Sequence, residues 1–352
     1  MPPPMRLEHS VPLAPLTTIG IGGPARLFVR ITTVDELHEA LQYAEANHER
    51  LLILGGGSNM LLDDRGFDGL VLQIDLRGVT IESEGERVVV RVAAGESWDA
   101  FVERAVNNGW AGVECLSGIP GSVGATPIQN VGAYGQDVSE TIIRVEALDR
   151  TTGRVRDFTN EECRFGYRAS LFKNVEVDRW IVLAVTFRLT PNGEAAVRYP
   201  ELQRHLEEHG IATTDLRGVR ASVIAIRKRK GMVLDPNDPD SRSDGSFFMN
   251  PIVTAEEYAA FAERAGNTAP HFPERDGRMK LSAAWLIEHA GFAKGFTHGN
   301  VGLSSKHTLA IVNRGGGTAR EVLELVAMIQ EKVGEAFGVA IHPEPNVIEG
   351  PR

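Results

Sequence analysis

The sequence is poor in cysteine, with only Cys115 and Cys163 among its 352 residues. Two cysteines are too few for a disulfide framework, and such low usage indicates a reducing compartment. The opening stretch, MPPPMRLEHSVPLAPL, lacks the basic start and continuous apolar core of a signal peptide. No run approaches the roughly 18 consecutive apolar residues that a membrane span requires. These features predict a cytoplasmic protein.

Positive charge is also scarce, because 37 Lys and Arg residues face 47 Asp and Glu residues and give a formal net charge of −10. This balance argues against nucleic acid or an anionic membrane as the main partner, although a local basic cluster can still bind a small anion. We find no internal repeat and no low-complexity segment. The ten histidines are interpreted as lacking metal-ligand spacing, so no metal is expected.

The chain is long enough for two or three domains, and its local patterns predict three units. Residues 1–78 form a small α/β unit, residues 79–218 a sheet-rich second unit, and residues 219–352 a third. Capping boxes at Thr33, Thr254 and Thr318 predict three helix starts. Apolar runs predict strands at 51–54, 69–74, 87–94, 142–148, 180–189 and around 342–348.

Residues 51–62, LLILGGGSNMLL, place three glycines directly after a buried strand. Such glycines let backbone N–H groups approach an anion. A P-loop requires Lys followed by Ser or Thr after its last glycine, and this stretch has no lysine. A dinucleotide fingerprint requires a third glycine where Met60 stands and then a helix. Both known phosphate loops are excluded, and a tight turn without a ligand remains an alternative.

A second glycine-rich stretch, GIPGSVGATPIQNVGAYG, covers residues 118–135. Its side chains are small or uncharged, so its backbone can lie flat against a ligand. Irregular loops of this length are uncommon without a function. Two glycine-rich loops whose backbone can approach a ligand closely occur in adjacent α/β units. They indicate one extended ligand that is held largely by backbone groups.

Five motifs occur in the order found in UDP-N-acetylenolpyruvoylglucosamine reductases, and the chain resembles that family from Leu13 to Ile348. The motifs are LGGGSNML, GIPGSVGATPIQNVGAYG, CRFGYRASLFK (163–173), GSFFMNP (245–251) and HPE (342–344). The segment RYPEL (198–202) resembles the form of the family that has an extra tyrosine-bearing substrate loop. Met249 departs from the pattern, which usually has Lys there, and this puts one ligand contact in question.

The resemblance implies an α+β fold in which two small α/β units form an FAD-binding module of the PCMH type and a third α+β domain binds substrate. It implies NADPH-dependent reduction of UDP-N-acetylglucosamine enolpyruvate to UDP-N-acetylmuramate through FAD, in peptidoglycan precursor synthesis. FAD is expected to bind non-covalently, because neither glycine loop contains Cys or His. NADPH is expected to visit the sugar-nucleotide pocket and leave first. A monomer without nucleic-acid or membrane partners is expected.

The resemblance also assigns site residues. The FAD pyrophosphate would be cradled by Gly55, Gly56, Gly57, Ser58 and Asn59. The flavin and the other pyrophosphate face would be lined by Gly121, Ser122, Gly124, Ile128 and Gly132. The catalytic positions are Arg168, Ser246 and Glu344, and the substrate positions are Tyr199, Arg227, Lys230 and Asn250.

The catalytic set suits the implied chemistry. A serine hydroxyl is a weak acid, suited only to a strongly basic acceptor such as an enolate, and Ser246 matches the proton donor. The Arg168 guanidinium can hold the substrate carboxylate as charge grows on it. Glu344 must be protonated or paired with a cation, and the sequence leaves both possibilities open. Two other functions remain open: another FAD oxidase or dehydrogenase of the same fold superfamily, and a non-catalytic FAD or UDP-sugar sensor.

Overall fold

The structure is a computed structural model that describes residues 5–84, 87–266, 269–274 and 276–351. The chain divides into unit 1 (Met1–Val11, Ala25–Gly56 and Asp68–Lys228) and unit 2 (Pro12–Pro24, Gly57–Phe67 and Arg229–Arg352). Residues 1–4 and 352, where the predicted first unit begins and the third ends, lie outside the described residues. The three-unit division stays a prediction, and its boundary at 218/219 falls inside a helix.

The described elements are strands interspersed with helices. The strands are β1 (Glu8–Pro12), β2 (Pro24–Ile31), β3 (Leu51–Leu54), β4 (Met60–Leu62), β5 (Phe67–Ile74), β6 (Val79–Glu84), β7 (Arg87–Ala93), β8 (Trp110–Ala111), β9 (Gly132–Ala133), β10 (Gln136–Asp137), β11 (Ile142–Asp149), β12 (Val155–Thr159), β13 (Trp180–Pro191), β14 (Ile252–Val253), β15 (His271–Pro273), β16 (Met279–Leu281), β17 (Thr297–His298), β18 (Val301–Leu303), β19 (Ile311–Asn313) and β20 (Asn346–Ile348). The helices are α1 (Val34–Ala46), α2 (Trp98–Asn107), α3 (Thr126–Gln129), α4 (Leu171–Asn174), α5 (Pro200–His209), α6 (Leu216–Arg229), α7 (Ala255–Ala265), α8 (Ala283–His289) and α9 (Ala319–Phe337).

In its described residues, unit 1 has two larger sheets and the two-stranded sheet β10-β9. The first has the order β1-β2-β5-β3, with β3 parallel to β5. The second has the order β12-β11-β13-β7-β6, with β8 paired to β13. The long β13 lies between antiparallel neighbours, and most of its residues are buried. Its core side chains, such as Phe187, pack against Trp98 and Phe101 of α2, so the sheet and α2 share one hydrophobic core.

The described part of unit 2 combines three small sheets with three α-helices and has its own core. The sheets are β14-β16-β15, β17-β18-β19 and the parallel pair β20-β4. The apolar face of α9 carries Val322, Leu325, Ile329 and Val333, each 0% exposed. Burial of this face stabilises unit 2 around the longest described helix.

The elements that the local sequence patterns predicted are largely present. The capping boxes at Thr33, Thr254 and Thr318 all form, with Glu36, Glu257 and Glu321 as the third helical residues. The predicted strands at 51–54, 69–74, 87–94, 142–148 and 180–189 are present. Only 346–348 of the segment 342–348 is a strand. Among the described residues, no helix has the length and apolarity needed to cross a membrane.

Candidate functional site

The two glycine stretches touch each other within unit 1. Gly55 and Gly56 directly follow β3, and a β carbon built on Gly56 would lie 2.6 Å from the α carbon of Gly121. A β carbon on Gly55 would lie 2.7 Å from the Ser122 hydroxyl oxygen. Any side chain at these positions would push the loops apart. The first two glycines of GGGS therefore have a packing role, whatever they bind.

The same loops line a cavity of about 180 Å³, smaller than the roughly 300 Å³ at which ligand pockets begin. The N–H groups of Gly55, Gly56, Gly121 and Ser122 donate no hydrogen bond to another described residue. The Gln73 side-chain oxygen is buried and likewise has no partner in the described chain. A row of N–H donors suits an anion, and the buried acceptor suits an N–H or O–H of a ligand. The cavity therefore fits part of a phosphate-bearing cofactor.

The rest of the GGGS loop belongs to unit 2. Gly57 has a φ of +60°, and a β carbon there would overlap the carbonyl oxygen of Leu16. The N–H groups of Gly57, Ser58 and Asn59 have no acceptor among the described residues. The Asn59 carbonyl accepts a hydrogen bond from the N–H of Asn346 at 3.0 Å. This segment also offers backbone donors and is fixed by its pairing with β20.

Two charged side chains fix the start of the second glycine stretch in unit 1. The N–H of Gly118 donates to Asp99 at 2.6 Å, and Arg227 donates from Nε to the Gly118 carbonyl at 3.2 Å. Arg220 binds Asp99 through two contacts of 2.6 and 2.9 Å. Arg227 is only 8% exposed, and burial lowers its pKa against the opposing influence of Tyr134 and Asp99. Its position at the end of α6 thus brings a buried cation to the loop.

Arg168 lies against the same loop. Its guanidinium is 2.8 Å from the carbonyl oxygen of Gly132 and 3.4 Å from that of Asn130. The residue has a φ of +50° in the tight turn that Gly166 and Ala169 close by reciprocal backbone hydrogen bonds. This backbone region is uncommon for a residue with a side chain, and it occurs in tight turns and at functional sites.

Tyr199 stands immediately before α5, as its N-cap residue. Its ring meets that of Tyr134 edge-on, with centroids 5.6 Å apart, and its side chain is 43% exposed. Partial burial and the nearby Glu201 raise the pKa of its phenol. The structure therefore brings Tyr199 to the end of the second glycine stretch, where Tyr134 lies.

In unit 2 the motifs GSFFMNP (245–251) and HPE (342–344) are joined by two backbone hydrogen bonds. The N–H of Glu344 donates to the carbonyl of Phe247 at 2.8 Å, and the N–H of Met249 donates to the carbonyl of His342 at 3.0 Å. The buried rings of Phe247 and Phe248 anchor the first of these two segments. Ser246 and Glu344 consequently lie on facing segments. The half-buried Ser246 hydroxyl has no hydrogen-bond partner among the described residues.

Comparisons with known proteins show the family to which the chain belongs. Residues 25–159 match the FAD binding domain family, and residues 236–348 match the C-terminal domain of UDP-N-acetylenolpyruvoylglucosamine reductase. The reductase of that name from Thermobifida fusca is 48% identical over 97% of both chains. The one from Mycobacterium tuberculosis is 43% identical over 97% of this chain and 95% of its own. The Thermus caldophilus enzyme has a solved structure that is 28% identical, with a TM-score of 0.67 over 98% of this chain and 100% of its own.

The chain belongs to the UDP-N-acetylenolpyruvoylglucosamine reductase family.

Family membership confirms the resemblance seen in the five motifs. The α+β fold with an FAD-binding module is confirmed, as are FAD as cofactor and an FAD-dependent oxidoreductase as the enzyme class. The reductase is therefore favoured over another flavin oxidase and over a non-catalytic sensor. The assignment to the form with the tyrosine-bearing loop, and the roles of the individual site residues, stay predictions.

The predicted site residues divide between the two units. Unit 1 holds Arg168, Tyr199, Arg227, Gly55, Gly56 and the residues of the second glycine stretch; unit 2 holds Gly57, Ser58, Asn59, Lys230, Ser246, Asn250 and Glu344. The Asn250 side-chain oxygen already accepts from the N–H of Ala283 and so helps to begin α8. Gly124 also has a packing role, because a β carbon there would lie 2.6 Å from that of Ala94.

Sequence reasoning missed two polar residues near these motifs. Gln73 interrupts the apolar pattern of β5 and lines the cavity. A search for polar residues in buried strands would have found it. Asp244 lies two residues before Ser246 and is 6% exposed, with Thr18 donating to one of its oxygens at 3.0 Å. Its other oxygen has no partner in the described chain, and burial raises the pKa of this carboxyl to about 7.

One statement about the histidines was wrong. His205 and His209 are four residues apart on α5, and together with Glu208 their potential ligand atoms lie within 4.8 Å of one another. That is a metal-ligand spacing, since residues four apart share a helix face. The expectation of no bound metal at the reductase site stays a prediction.

Proposed function

We propose that this chain reduces UDP-N-acetylglucosamine enolpyruvate to UDP-N-acetylmuramate with NADPH, acting as a cytoplasmic monomer without nucleic-acid or membrane partners. Family membership over nearly the whole chain supports the reaction. The observation that carries the site assignment is the backbone pairing that sets the Ser246 segment against the Glu344 segment. The reaction also needs an anion site for a dinucleotide, and the N–H groups without acceptors along residues 55–59 support one there.

The GGGS loop would hold the FAD pyrophosphate through the N–H groups of Gly55, Gly56, Gly57, Ser58 and Asn59. The flavin would lie along Gly121, Ser122, Gly124, Ile128 and Gly132, with Gln73 accepting a hydrogen bond from the cofactor. When bound, FAD supplies hydride transfer, from NADPH to carbon 3 of the enolpyruvyl group. The chain contributes position, charge and a proton.

Non-covalent attachment of FAD is supported by the chemistry of the two thiols. Cys115 and Cys163 are buried, and burial raises the pKa of each to about 12. A thiol that stays protonated is a poor nucleophile toward a flavin ring. Denaturation should release all the flavin into the supernatant, and flavin that remained on the polypeptide would show that another side chain forms a bond to it.

Ser246 would donate the proton that carbon 2 of the substrate requires. A Ser246 hydroxyl without a protein partner can rotate toward the reacting carbon. The backbone pairing with the Glu344 segment holds the loop that carries Ser246. Arg168 would hold the substrate carboxylate and take up charge as the enolate forms. Glu344 would orient these groups, and a protonated or cation-paired state would keep it from repelling the enolate.

The sugar nucleotide would be bound by Tyr199, Arg227, Lys230 and Asn250. The end of α6 supports this assignment, because Arg227 and Lys230 belong to the run RKRK, the densest basic stretch of an acidic chain. Positive charge there suits the UDP pyrophosphate. The burial of Arg227 and its contact with Gly118 give it a second role, the fixing of the glycine stretch.

The test is to watch the flavin absorbance in two stages without oxygen. NADPH should bleach the yellow protein, and the enolpyruvyl substrate should then restore the colour. A protein that bleaches but never recovers with this substrate would refute the proposal. In deuterated solvent the product should carry deuterium at carbon 2.

Replacement of Ser246 isolates the proton donor. Ser246→Ala should bleach with NADPH at nearly the normal rate, since that stage needs no proton at carbon 2. Recovery of colour should slow by about 10²–10⁴-fold, the usual contribution of a general acid. Ser246→Cys, more acidic and similar in size, should retain substantial activity. Normal recovery in the Ala variant would mean that another group is the acid.

A further inference from the structure

The last turn of α5 carries a cluster of three potential metal ligands that the reductase site does not include. His205, Glu208 and His209 occupy positions i, i+3 and i+4 of the helix, so their side chains share one face. Their ligand atoms lie within 4.8 Å of one another. We propose that this cluster is a Zn²⁺-binding site. The inference goes beyond the proposed reductase function and does not rest on it.

One contact prepares His209 to bind a metal. Its Nδ1 is 2.8 Å from the backbone carbonyl oxygen of His205. A carbonyl can only accept, so Nδ1 carries the proton and the lone pair is on Nε2. Metal-binding histidines almost always have this arrangement, in which the second ring nitrogen donates to a carbonyl or carboxylate. The fold therefore sets the tautomer that zinc requires before the metal arrives.

The donor set selects the class of metal. Two imidazole nitrogens and one carboxylate oxygen are common zinc ligands, and water completes the tetrahedron. The two imidazole rings already lie 4.1 Å apart between centroids. His205 is 9% exposed, whereas Glu208 and His209 face solvent, so the ion can enter from outside while the inner ligand is held by the protein.

A simpler role for His209 is electrostatic, because a cationic histidine in the last turn of a helix interacts favourably with the helix dipole. His289 provides a matched case without the cluster. It ends α8, and its Nδ1 is 2.9 Å from the Trp285 carbonyl four residues earlier. His289 is not part of any group of metal-ligating residues in the described chain. If the electrostatic role were the whole explanation, the two histidines would respond alike to zinc.

The experiment titrates the untagged, full-length flavoprotein with ZnCl₂ in competition with a chromophoric chelator. The wild-type chain should bind one zinc ion per molecule. His209→Ala should weaken that binding by at least about tenfold, because a metal ligand contributes no less than a residue that merely orients one. Glu208→Gln should also weaken it, whereas His289→Ala should leave it unchanged. Absence of zinc binding by the wild type would overturn the proposal.

Hydrogen exchange gives a readout that locates the ion. Zinc that joins residues four apart should slow amide exchange in the last turn of α5, since it stabilises the closed helix over the locally open one. The effect should vanish in His209→Ala and persist in His289→Ala. Zinc binding that survives in both His209→Ala and Glu208→Gln, with no protection of α5, would place the metal elsewhere and reject the site.

Discussion

Gly56 and Gly121 approach so closely that a β carbon added to Gly56 would lie 2.6 Å from the α carbon of Gly121. Real β carbons do not come this near to a backbone atom, so the contact requires glycine at position 56. The sequence suggested that this glycine makes room for an anion. Its observed neighbour is the second glycine loop, and both loops line the cavity.

Gly56→Val should therefore weaken both the fold and cofactor binding. Forcing the loops apart should lower the free energy of unfolding by about 1–3 kcal/mol, the usual effect of overpacking. The purified protein should contain little FAD by absorbance. Gly334→Ala is the control, because a β carbon there meets nothing within 4 Å in helix α9, and alanine should stabilise that helix by up to about 1 kcal/mol. A Gly56→Val protein with normal stability and full flavin would contradict this account.

The predictable part of the fold is the part with local signals. A capping box or a buried apolar run is complete within a few residues, which is why α1, α9 and β13 could be predicted. Helix α6 was missed, because Val219, Val223 and Ile226 are weak helix formers and Gly218 interrupts the pattern. These three side chains are fully buried, so tertiary packing decides the helix. The sequence also did not show which segments make up unit 2, because these three segments are separated along the chain.

Arg168→Lys should lower both the stability and the activity of the protein, although it keeps the positive charge. A lysine presents a single ammonium group and cannot replace the guanidinium contacts with the carbonyls of Asn130 and Gly132. Loss of a hydrogen bond to a charged group predicts a decrease of about 1.5–3 kcal/mol in unfolding free energy. Recovery of flavin colour with substrate should slow at least about tenfold.

Arg164→Lys is the matched control for Arg168→Lys. Arg164 also has a left-handed φ, +48°, but its side chain is exposed and makes no hydrogen bond or ion pair with a described residue. This variant should equal the wild type in unfolding free energy and in both flavin stages. Equal losses in the two variants would mean that lysine strains the backbone at either position, and that the carbonyl contacts are not the cause.

Tyr199→Phe should affect the substrate without affecting the fold. The phenol hydroxyl has no partner among the described residues, and phenylalanine keeps the edge-on contact with Tyr134. Stability should therefore change by less than about 0.5 kcal/mol. Loss of one hydrogen bond to substrate should raise KM by about 3–10-fold, while bleaching by NADPH stays near the normal rate. Tyr258→Phe, which removes a hydroxyl from α7, should change neither quantity. A normal KM in Tyr199→Phe would remove Tyr199 from the substrate site.

The site was less predictable than the fold because its contacts join distant parts of the chain. The motifs predict a set of site residues, and the family comparisons support the reaction and the cofactor. No local pattern, however, indicates that the Phe247 carbonyl meets the Glu344 N–H, or that Asp99 and Arg227 hold Gly118 from two sides. Asp244 was overlooked for a related reason. Its setting, LDPNDPDSRSDG, is typical of a solvated turn, yet its carboxyl is buried.

The buried carboxyl of Asp244 should make the stability of the protein depend on pH. Burial raises its pKa from 3.8 to about 7 in the folded state, so the folded chain keeps a proton that the unfolded chain has already lost between these values. Stability from this group is therefore complete below about pH 4, falls as pH rises toward 7, and stays constant above that. A shift of this size corresponds to a loss on the order of 4 kcal/mol.

Asp244→Asn removes the titration and keeps the shape, and its amide oxygen can still accept from Thr18. Denaturant unfolding at a series of pH values measures the free energy of unfolding of both proteins. The value for the variant relative to the wild type should rise between pH 4 and 7 and stay constant above pH 7. Asp178→Asn is the control, because the Asp178 side chain is 89% exposed and asparagine tolerates its left-handed φ of +58°. The free energy of unfolding of Asp178→Asn should depend on pH in the same way as that of the wild type. If the Asp244→Asn curve were also parallel across this range, the carboxyl would be ionised in the folded state at pH 5, and a partner for its second oxygen would have to exist.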